Sequence, residues 1–188
     1  MATASLNLRE LNFLVADASK NFQTLVSRIL KNFGVQYVVE AETGPTAFDI
    51  IKNKRIDVML CDVNLPELDG FDLTKKIRGD DALDNRAIPI FVLTSHTQAN
   101  NVFRARDSGA NMVVAKPVSP NILFDRLHWV AKSPRPFVET DGYFGPDRRF
   151  KIEGFPDGVG RRSEDGDTEV GAEEGPAMSQ DEIDNLFK

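Results

Sequence analysis

The 188-residue chain has one cysteine, Cys61, and only two histidines, His96 and His128. A lone thiol excludes an intramolecular disulfide, and so few soft ligands argue against a four-ligand zinc site. No apolar run approaches the roughly 18 residues a membrane helix needs. Residues 1–10 lack the basic start and apolar stretch of a secretory signal. Basic charge is not in excess either. Lys and Arg total 23 against 29 Asp and Glu, a net charge of −6, the reverse of what neutralising a phosphate backbone requires. Internal repeats are lacking, as is a glycine-rich phosphate loop after the first apolar run. The chain is therefore expected to be cytoplasmic, with no nucleic acid among its partners and no membrane insertion.

The acidic charge is concentrated at one end. Residues 133–188 hold seven bases and fourteen acids, a charge of −7, which leaves residues 1–132 near neutral at +1. Apolar periodicity also stops near Lys132, and Pro and Gly become frequent. The chain divides into four segments. Residues 12–132 form one domain, and 133–156 form an extension in which aromatics interleave with Pro and Arg. Residues 157–177 have too little apolar surface to offset the entropy of ordering, which predicts a disordered acidic linker. Residues 178–188 are a short amphipathic motif.

Within the first segment two periods alternate. Apolar, β-branched runs occur at Phe13–Ala16, Val35–Val39, Val58–Cys61, Ile90–Leu93 and Met112–Ala115. Such runs suit strands buried on both faces. Between them lie helical patterns. The first carries Phe22, Leu25, Val26, Ile29, Leu30 and Phe33 and stops at Gly34; the second is opened by Thr43. Strand–helix alternation five times over predicts an α/β fold: a doubly wound five-stranded parallel sheet, flavodoxin-like, with helices on both faces.

A sheet of this kind binds its ligand beyond the carboxyl ends of the strands. There the sequence places Asp17 after the first run, Asp62 after the third, Thr94 and Ser95 after the fourth, and Lys116-Pro117 after the fifth. Two carboxylates, a hydroxyl and an ammonium suit phosphoryl transfer to a carboxylate. Carboxylates hold Mg²⁺, and the transferring group needs positioning and charge neutralisation above all.

The motifs Phe13-Leu14-Val15-Ala16-Asp17, Asp62-Val63-Asn64-Leu65-Pro66-Glu67-Leu68-Asp69-Gly70, Leu93-Thr94-Ser95 and Ala115-Lys116-Pro117 resemble those of receiver domains of bacterial two-component response regulators, the CheY-like family. The resemblance covers about two thirds of the chain. It implies that Asp62 is the phosphoacceptor, that Thr94 is the switch hydroxyl and that Lys116 pairs with the phosphoryl group. It also implies a metal site of Asp17, Asp62 and the Asn64 carbonyl, a cis Lys116–Pro117 peptide, a turn at Asp69-Gly70 in which glycine supplies unusual backbone angles, and a helix ended by Gly109. The implied partner is a histidine kinase or phosphotransfer protein, and the implied role is a phosphoacceptor signalling protein, not an enzyme, acting through protein contacts in chemotaxis or motility.

Two positions depart from the family. Ala18 stands where a second acid, a direct Mg²⁺ ligand, is usual, so the cofactor Mg²⁺ is expected to bind weakly. Val113 replaces an aromatic lever and is too stiff to act as one. Ala18 also supports an alternative: a degenerate receiver that works as an adaptor without phosphorylation. Cys61 is read as a small buried hydrophobe.

At the far end, Ser179 and Glu182 have capping-box spacing, and Ile183, Leu186 and Phe187 then share one helical face. So short a helix is marginal alone and needs a groove. Residues 178–187 resemble the N-terminal peptide of the flagellar motor switch protein FliM, which activated CheY-type receivers bind. The implied partner is a receiver groove, the chain's own or another regulator's. The segment from 133 to 152 resembles an extension of some stand-alone receivers that ends in a Gly-Pro-Asp-Arg-Arg element. Phe137, Tyr143 and Phe144 are expected to lie back over the domain.

Overall fold

Five strands alternate with five helices: β1 (Asn12–Ala16), α1 (Lys20–Asn32), β2 (Tyr37–Ala41), α2 (Gly44–Asn53), β3 (Val58–Asp62), α3 (Gly70–Gly79), β4 (Ile90–Thr94), α4 (Ala99–Asp107), β5 (Met112–Ala115) and α5 (Pro120–Lys132). A hairpin, β6 (Phe137–Thr140) with β7 (Tyr143–Pro146), and a further helix, α6 (Gln180–Phe187), follow among the described residues. This computed structural model describes residues 7–148 and 177–187. The linker expected at 157–177 falls outside those residues except for Ala177, which forms an antiparallel bridge to Gln98.

The sheet runs β2-β1-β3-β4-β5, and every neighbouring pair is parallel. Strand order reverses between β1 and β3, so a crevice is expected outside their carboxyl ends. Alternation along each strand divides the interior in two. Phe13, Val15, Val58 and Leu60 join the core that contains α1 and α5 residues, and Leu14, Ala16, Met59 and Cys61 join the α2 and α3 side. Helices α1, α2, α3 and α5 open on side-chain caps. Ser19, Thr43, Asp69 and Ser119 each accept the backbone N–H three residues on, an arrangement that stabilises a helix by about 1 kcal/mol.

The second strand begins at Tyr37, two residues later than the apolar run suggests. Val35 is buried and its N–H donates to the Leu30 carbonyl at 3.1 Å, so it seals the end of α1 after Gly34 turns at φ +93°. Being an edge strand, β2 also buries only Ala41, and the expected burial on both faces fails there.

The hairpin turns at Asp141-Gly142, where Gly142 has φ +80°. It packs near the amino ends of β4 and β5, opposite the crevice. Its anchor is Arg78 of α3, whose guanidinium is buried and donates to the carbonyls of Gly109, Arg86 and Ile88 and to Asn111 Oδ1. Phe137 lies 5.0 Å from the same guanidinium, and Phe144 lies 3.9 Å from that of Arg86. Gly109 and Gly145 allow the two backbones to meet: a Cβ on Gly145 would stand 3.0 Å from the Gly109 Cα. Burial pulls the Arg78 pKa down to about 9, which leaves it charged at neutral pH.

The last helix lies along β5, the otherwise open edge of the sheet. Eight helical residues rise about 12 Å, close to the roughly 13 Å of a four-residue strand. Ile183 and Phe187 are wholly buried in the core shared with α5, and Met178 and Leu186 pack partly against it. Full burial of side chains of this size contributes about 1.5–3 kcal/mol each. Asp184, also buried, pairs with Arg126 of α5.

Replacing Arg78 by alanine strips the buried Gly109 and Ile88 carbonyls and the half-buried Arg86 carbonyl of their donor, while Asn111 Oδ1 keeps the Ile90 N–H at 2.9 Å. Unsatisfied buried groups cost about 1–3 kcal/mol each, with partial relief from water. Arg78→Ala should therefore lose at least about 3 kcal/mol in urea denaturation, and a loss below 1 kcal/mol would contradict the anchoring role.

Candidate functional site

Three strand ends build the crevice. Asp17 comes directly after β1, and its N–H donates to the Ala41 carbonyl at 3.0 Å, which continues the β1–β2 ladder by one bond. Asp62 is the last residue of β3. Lys116 comes directly after β5, and the Lys116–Pro117 peptide is cis. Lys116 Nζ sits 2.7 Å from Asp17 Oδ2 and 2.9 Å from Asp62 Oδ1. The side chains of Lys116, Asp17 and Asp62 are nearly removed from water, at 16%, 3% and 11% exposure. One ammonium thus bridges two carboxylates in a medium where unpaired charge would be costly.

Two α1 residues that sequence reasoning left out of the site hold this cluster. Gln23 is buried and donates from Nε2 to the carbonyls of Asp17 (2.7 Å) and Ala41 (2.8 Å). Phe22 places its ring 4.1 Å from Lys116 Nζ, a cation–π contact. The signal for Gln23 was available: an amide on the inward side of an otherwise apolar helix face. Asp17 Oδ1 accepts the N–H of Ser19 at 2.8 Å, so its second oxygen is also engaged.

Thr94 ends β4 beside Ala115, and its hydroxyl is turned into its own loop. It accepts the His96 N–H at 3.0 Å and donates to the His96 carbonyl at 3.3 Å. Thr94 therefore does not join the Asp17–Lys116–Asp62 cluster in this state. His96 is exposed, as are Asn64 and Ala18. Burial drives the Cys61 thiol pKa far up, with the charges of Asp62, Asp69 and Asp17 adding to it, and Cys61 Sγ donates to the Asp62 carbonyl. An uncharged, buried thiol of this kind behaves as packing.

The turn expected at Asp69-Gly70 needs correcting. Gly70 is the first residue of α3 and is not left-handed; the positive φ, +67°, belongs to Glu67. Glycine is required at 70 for space. A Cβ there would lie 2.3 Å from the Asp62 carbonyl oxygen and 3.1 Å from Cys61 Sγ. Gly109 does come just past the end of α4, with φ +93°.

The sequence-predicted motif at 179–187 forms α6. The Ser179 N–H and hydroxyl both donate to Glu182 Oε2, at 2.7 and 2.8 Å, and the Glu182 N–H returns to Ser179 Oγ at 3.3 Å. These bonds hold the Glu182 carboxyl below its usual range. Gln180, which lies in that motif but was given no role of its own, bonds directly to the sheet. Its Oε1 accepts the Ala115 N–H at 2.7 Å and its Nε2 donates to the Val113 carbonyl at 3.1 Å. One side-chain amide thereby bonds one N–H and one C=O on the outer edge of β5.

The chain belongs to the response regulator receiver domain family, whose model matches residues 13–128. The chemotaxis protein CheY homologue of Campylobacter jejuni is 31% identical over 118 residues, which span 62% of this chain and 89% of that protein. Chemotaxis protein CheY1 of Helicobacter pylori is 32% identical over 121 residues, 64% of this chain and 96% of that one. Among solved structures, Vibrio cholerae chemotaxis protein CheY4 superposes with a TM-score of 0.58 at 29% identity, covering 64% of this chain and 98% of CheY4. The receiver domain of the Pseudomonas aeruginosa sensor histidine kinase PA1611, solved with magnesium in its active-site cleft, gives 0.57 at 28% identity, covering 64% and 98%. The five-stranded parallel sheet with helices on both faces is thus a CheY-like receiver fold.

Family members typically bind Mg²⁺. The donors here fit such an ion thinly: Asp17 and Asp62 are carboxylates, and Asn64 offers a carbonyl. Among the described residues no group of three His, Cys, Asp or Glu side chains could hold a metal. Magnesium tolerates this, since it keeps several waters and takes only one or two carboxylates in many sites.

The space above Asp62 yields a direct check. Gly70→Ala forces a methyl against the Asp62 carbonyl and must shift either α3 or the end of β3. Overpacking of this kind costs typically about 1–3 kcal/mol. The variant should lose stability in that range in urea denaturation, and its Asp62 amide resonance should move. Unchanged stability would refute the close approach.

Proposed function

We infer that the chain is a two-component response regulator that accepts a phosphoryl group on Asp62 and signals through protein contacts. The observation that carries this reading is Lys116 held 2.9 Å from Asp62 in a nearly dry crevice. An Asp62 carboxylate oxygen attacks the phosphorus of a phosphohistidine on a kinase or phosphotransfer protein. A P–O bond forms as the P–N bond breaks, and the departing imidazole nitrogen keeps the electron pair and takes a proton from solvent. Lys116 supplies a fixed positive charge for the incoming oxygens. Asp17, Asp62 and the Asn64 carbonyl are the residues that would hold Mg²⁺, which when bound neutralises phosphoryl charge. The Thr94 hydroxyl is the donor that the family pattern assigns to the new phosphoryl oxygens, and it must leave the His96 backbone to serve them. Work of this kind is cytoplasmic, and the similarity to chemotaxis regulators supports a role in motility. The resemblance of residues 178–187 to a motor-switch peptide supports the same assignment, with a receiver groove as a partner.

The competing reading is a phosphorylation-independent adaptor. Ala18 and the short donor set favour it; the intact Asp62, Lys116 and Thr94 oppose it. Incubation with radiolabelled acetyl phosphate and Mg²⁺ separates the two. The native chain should take label and Asp62→Asn should take none. Label retained by Asp62→Asn would move the acceptor elsewhere, and no label on the native chain would leave the adaptor.

The metal site generates its own expectation. Ala18→Asp adds a carboxylate beside Asp17 and should tighten Mg²⁺ by about tenfold in a fluorescence or NMR titration. The same substitution should lower stability in metal-free buffer, because like charges then crowd the crevice. Equal Mg²⁺ affinity in both forms would show that Ala18 is not the missing ligand position.

A further inference from the structure

The face formed by β5, α5 and the β4–α4 loop seats a helix, and its occupant is part of the same chain. Ile183 and Phe187 supply two fully buried anchors, Asp184 pairs with Arg126 of α5, and Gln180 closes the outer edge of β5 at Val113 and Ala115. At the far end of the strand, buried Arg135 donates to the Asn111 carbonyl at 2.8 Å and lies 5.4 Å from the Phe187 ring. Gln180 and Arg135 thus meet backbone groups and Asp184 meets the Arg126 guanidinium, although the buried Arg126 Nε has no hydrogen-bond partner.

The near end of the segment is tied to a different place. The Met178 N–H donates to the Thr97 carbonyl at 2.8 Å, and Ala177 bridges to Gln98. Residues 97 and 98 come directly after His96, whose backbone holds the Thr94 hydroxyl through two hydrogen bonds. A continuous set of bonds therefore runs from the end of β4 through the β4–α4 loop to the start of α6. A phosphoryl group on Asp62 brings oxygens that compete for the Thr94 hydroxyl. Once that hydroxyl leaves His96, the turn at 94–97 loses two of its bonds and the Thr97 carbonyl loses its fixed position.

We propose that residues 177–187 are an internal ligand of the face formed by β5, α5 and the β4–α4 loop, released when Asp62 is phosphorylated, so that the face and the freed helix become available to other proteins together. This proposal rests on the phosphoacceptor reading of Asp62 and adds the element that reports it. By linkage the effect is reciprocal: whatever unseats α6 also favours the phosphorylated state. A coupling of the usual size between linked sites spans roughly five- to 150-fold.

Amide hydrogen exchange on the full chain tests it, with acetyl phosphate and Mg²⁺ as the phosphodonor. In the unmodified chain the α6 amides should exchange at least about tenfold more slowly than in a free 177–188 peptide. Phosphorylation should erase most of that protection in the native chain and leave it intact in Asp62→Asn. Ile183→Asp should unseat α6 without phosphate and raise the ratio of labelled to unlabelled Asp62, at equilibrium with the phosphodonor, about fivefold. Gln180→Ala, which leaves the core anchors in place, should do the same to a smaller extent. Exchange in the unmodified chain as fast as in the free peptide would overturn the docking. Equal protection with and without the phosphoryl group, or equal equilibrium labelling of native chain and Ile183→Asp, would overturn the coupling. A native chain that takes no label would overturn the phosphoacceptor reading and the coupling with it, while the exchange data would still decide whether α6 is seated.

Discussion

The structure turns on one ammonium shared by two carboxylates. Lys116 can reach Asp17 and Asp62 together only if β1, β3 and β5 end at matched heights, although β4 lies between β3 and β5 in the sheet. The ladder registers deliver that match: Ala16 pairs with Cys61, Asp62 with Leu93, and Thr94 with Ala115. The devices around the crevice serve this alignment. Gln23 ties the end of β1 to β2, Gly70 lets α3 start against the Asp62 backbone, and Phe22 closes over the lysine. Buried charges gain from such surroundings only when each is paired, and removing one member would strand the others.

The rest of the molecule is arranged as two reinforcements of the sheet. Near the amino ends of the strands, Arg78 gathers loose carbonyls from separate loops and the hairpin covers it. Along the outer edge of β5, α6 does what a sixth strand would otherwise do. The hairpin and α6 both lie outside the span matched by the family. The hairpin meets that span through Phe137 over Arg78 and Glu139 on Arg86, with Arg135 just before it bonded to the Asn111 carbonyl, and α6 meets it through Gln180 at β5. A receiver sheet is thereby extended without altering its own ladders.

Much of this is legible in the sequence. The apolar runs at Phe13, Val58, Ile90 and Met112 locate four strands closely because buried parallel strands carry no alternation to confuse them, whereas edge strand β2 escapes that rule. The polar residues ending those runs locate the crevice. The capping spacing of Ser179 and Glu182 locates α6. The hidden features depend on relations between distant segments. Arg78 looks like a solvated helix residue until Asn111 and Gly109 are brought to it. Each hairpin strand has only four residues, too few for a period-two pattern to show, although Asp141-Gly142 is a turn signal. Gly70 looks like a matter of backbone angle and is a matter of space, because a sequence does not say which backbone will come close.

The amide of Gln180 has a consequence for the chain's behaviour in crowded solution. An edge strand with open N–H and C=O groups is a template for pairing with another sheet, and proteins cover such edges with charge, proline or a helix. In β5 every residue is apolar, Met-Val-Val-Ala, so its own side chains offer no deterrent. The protection comes from a segment about 65 residues further along the chain. Colloidal behaviour is thereby joined to the seating of α6. Any state that frees the helix also uncovers a sticky strand, and its lifetime is limited by how soon a partner, the helix or an unwanted copy takes the edge.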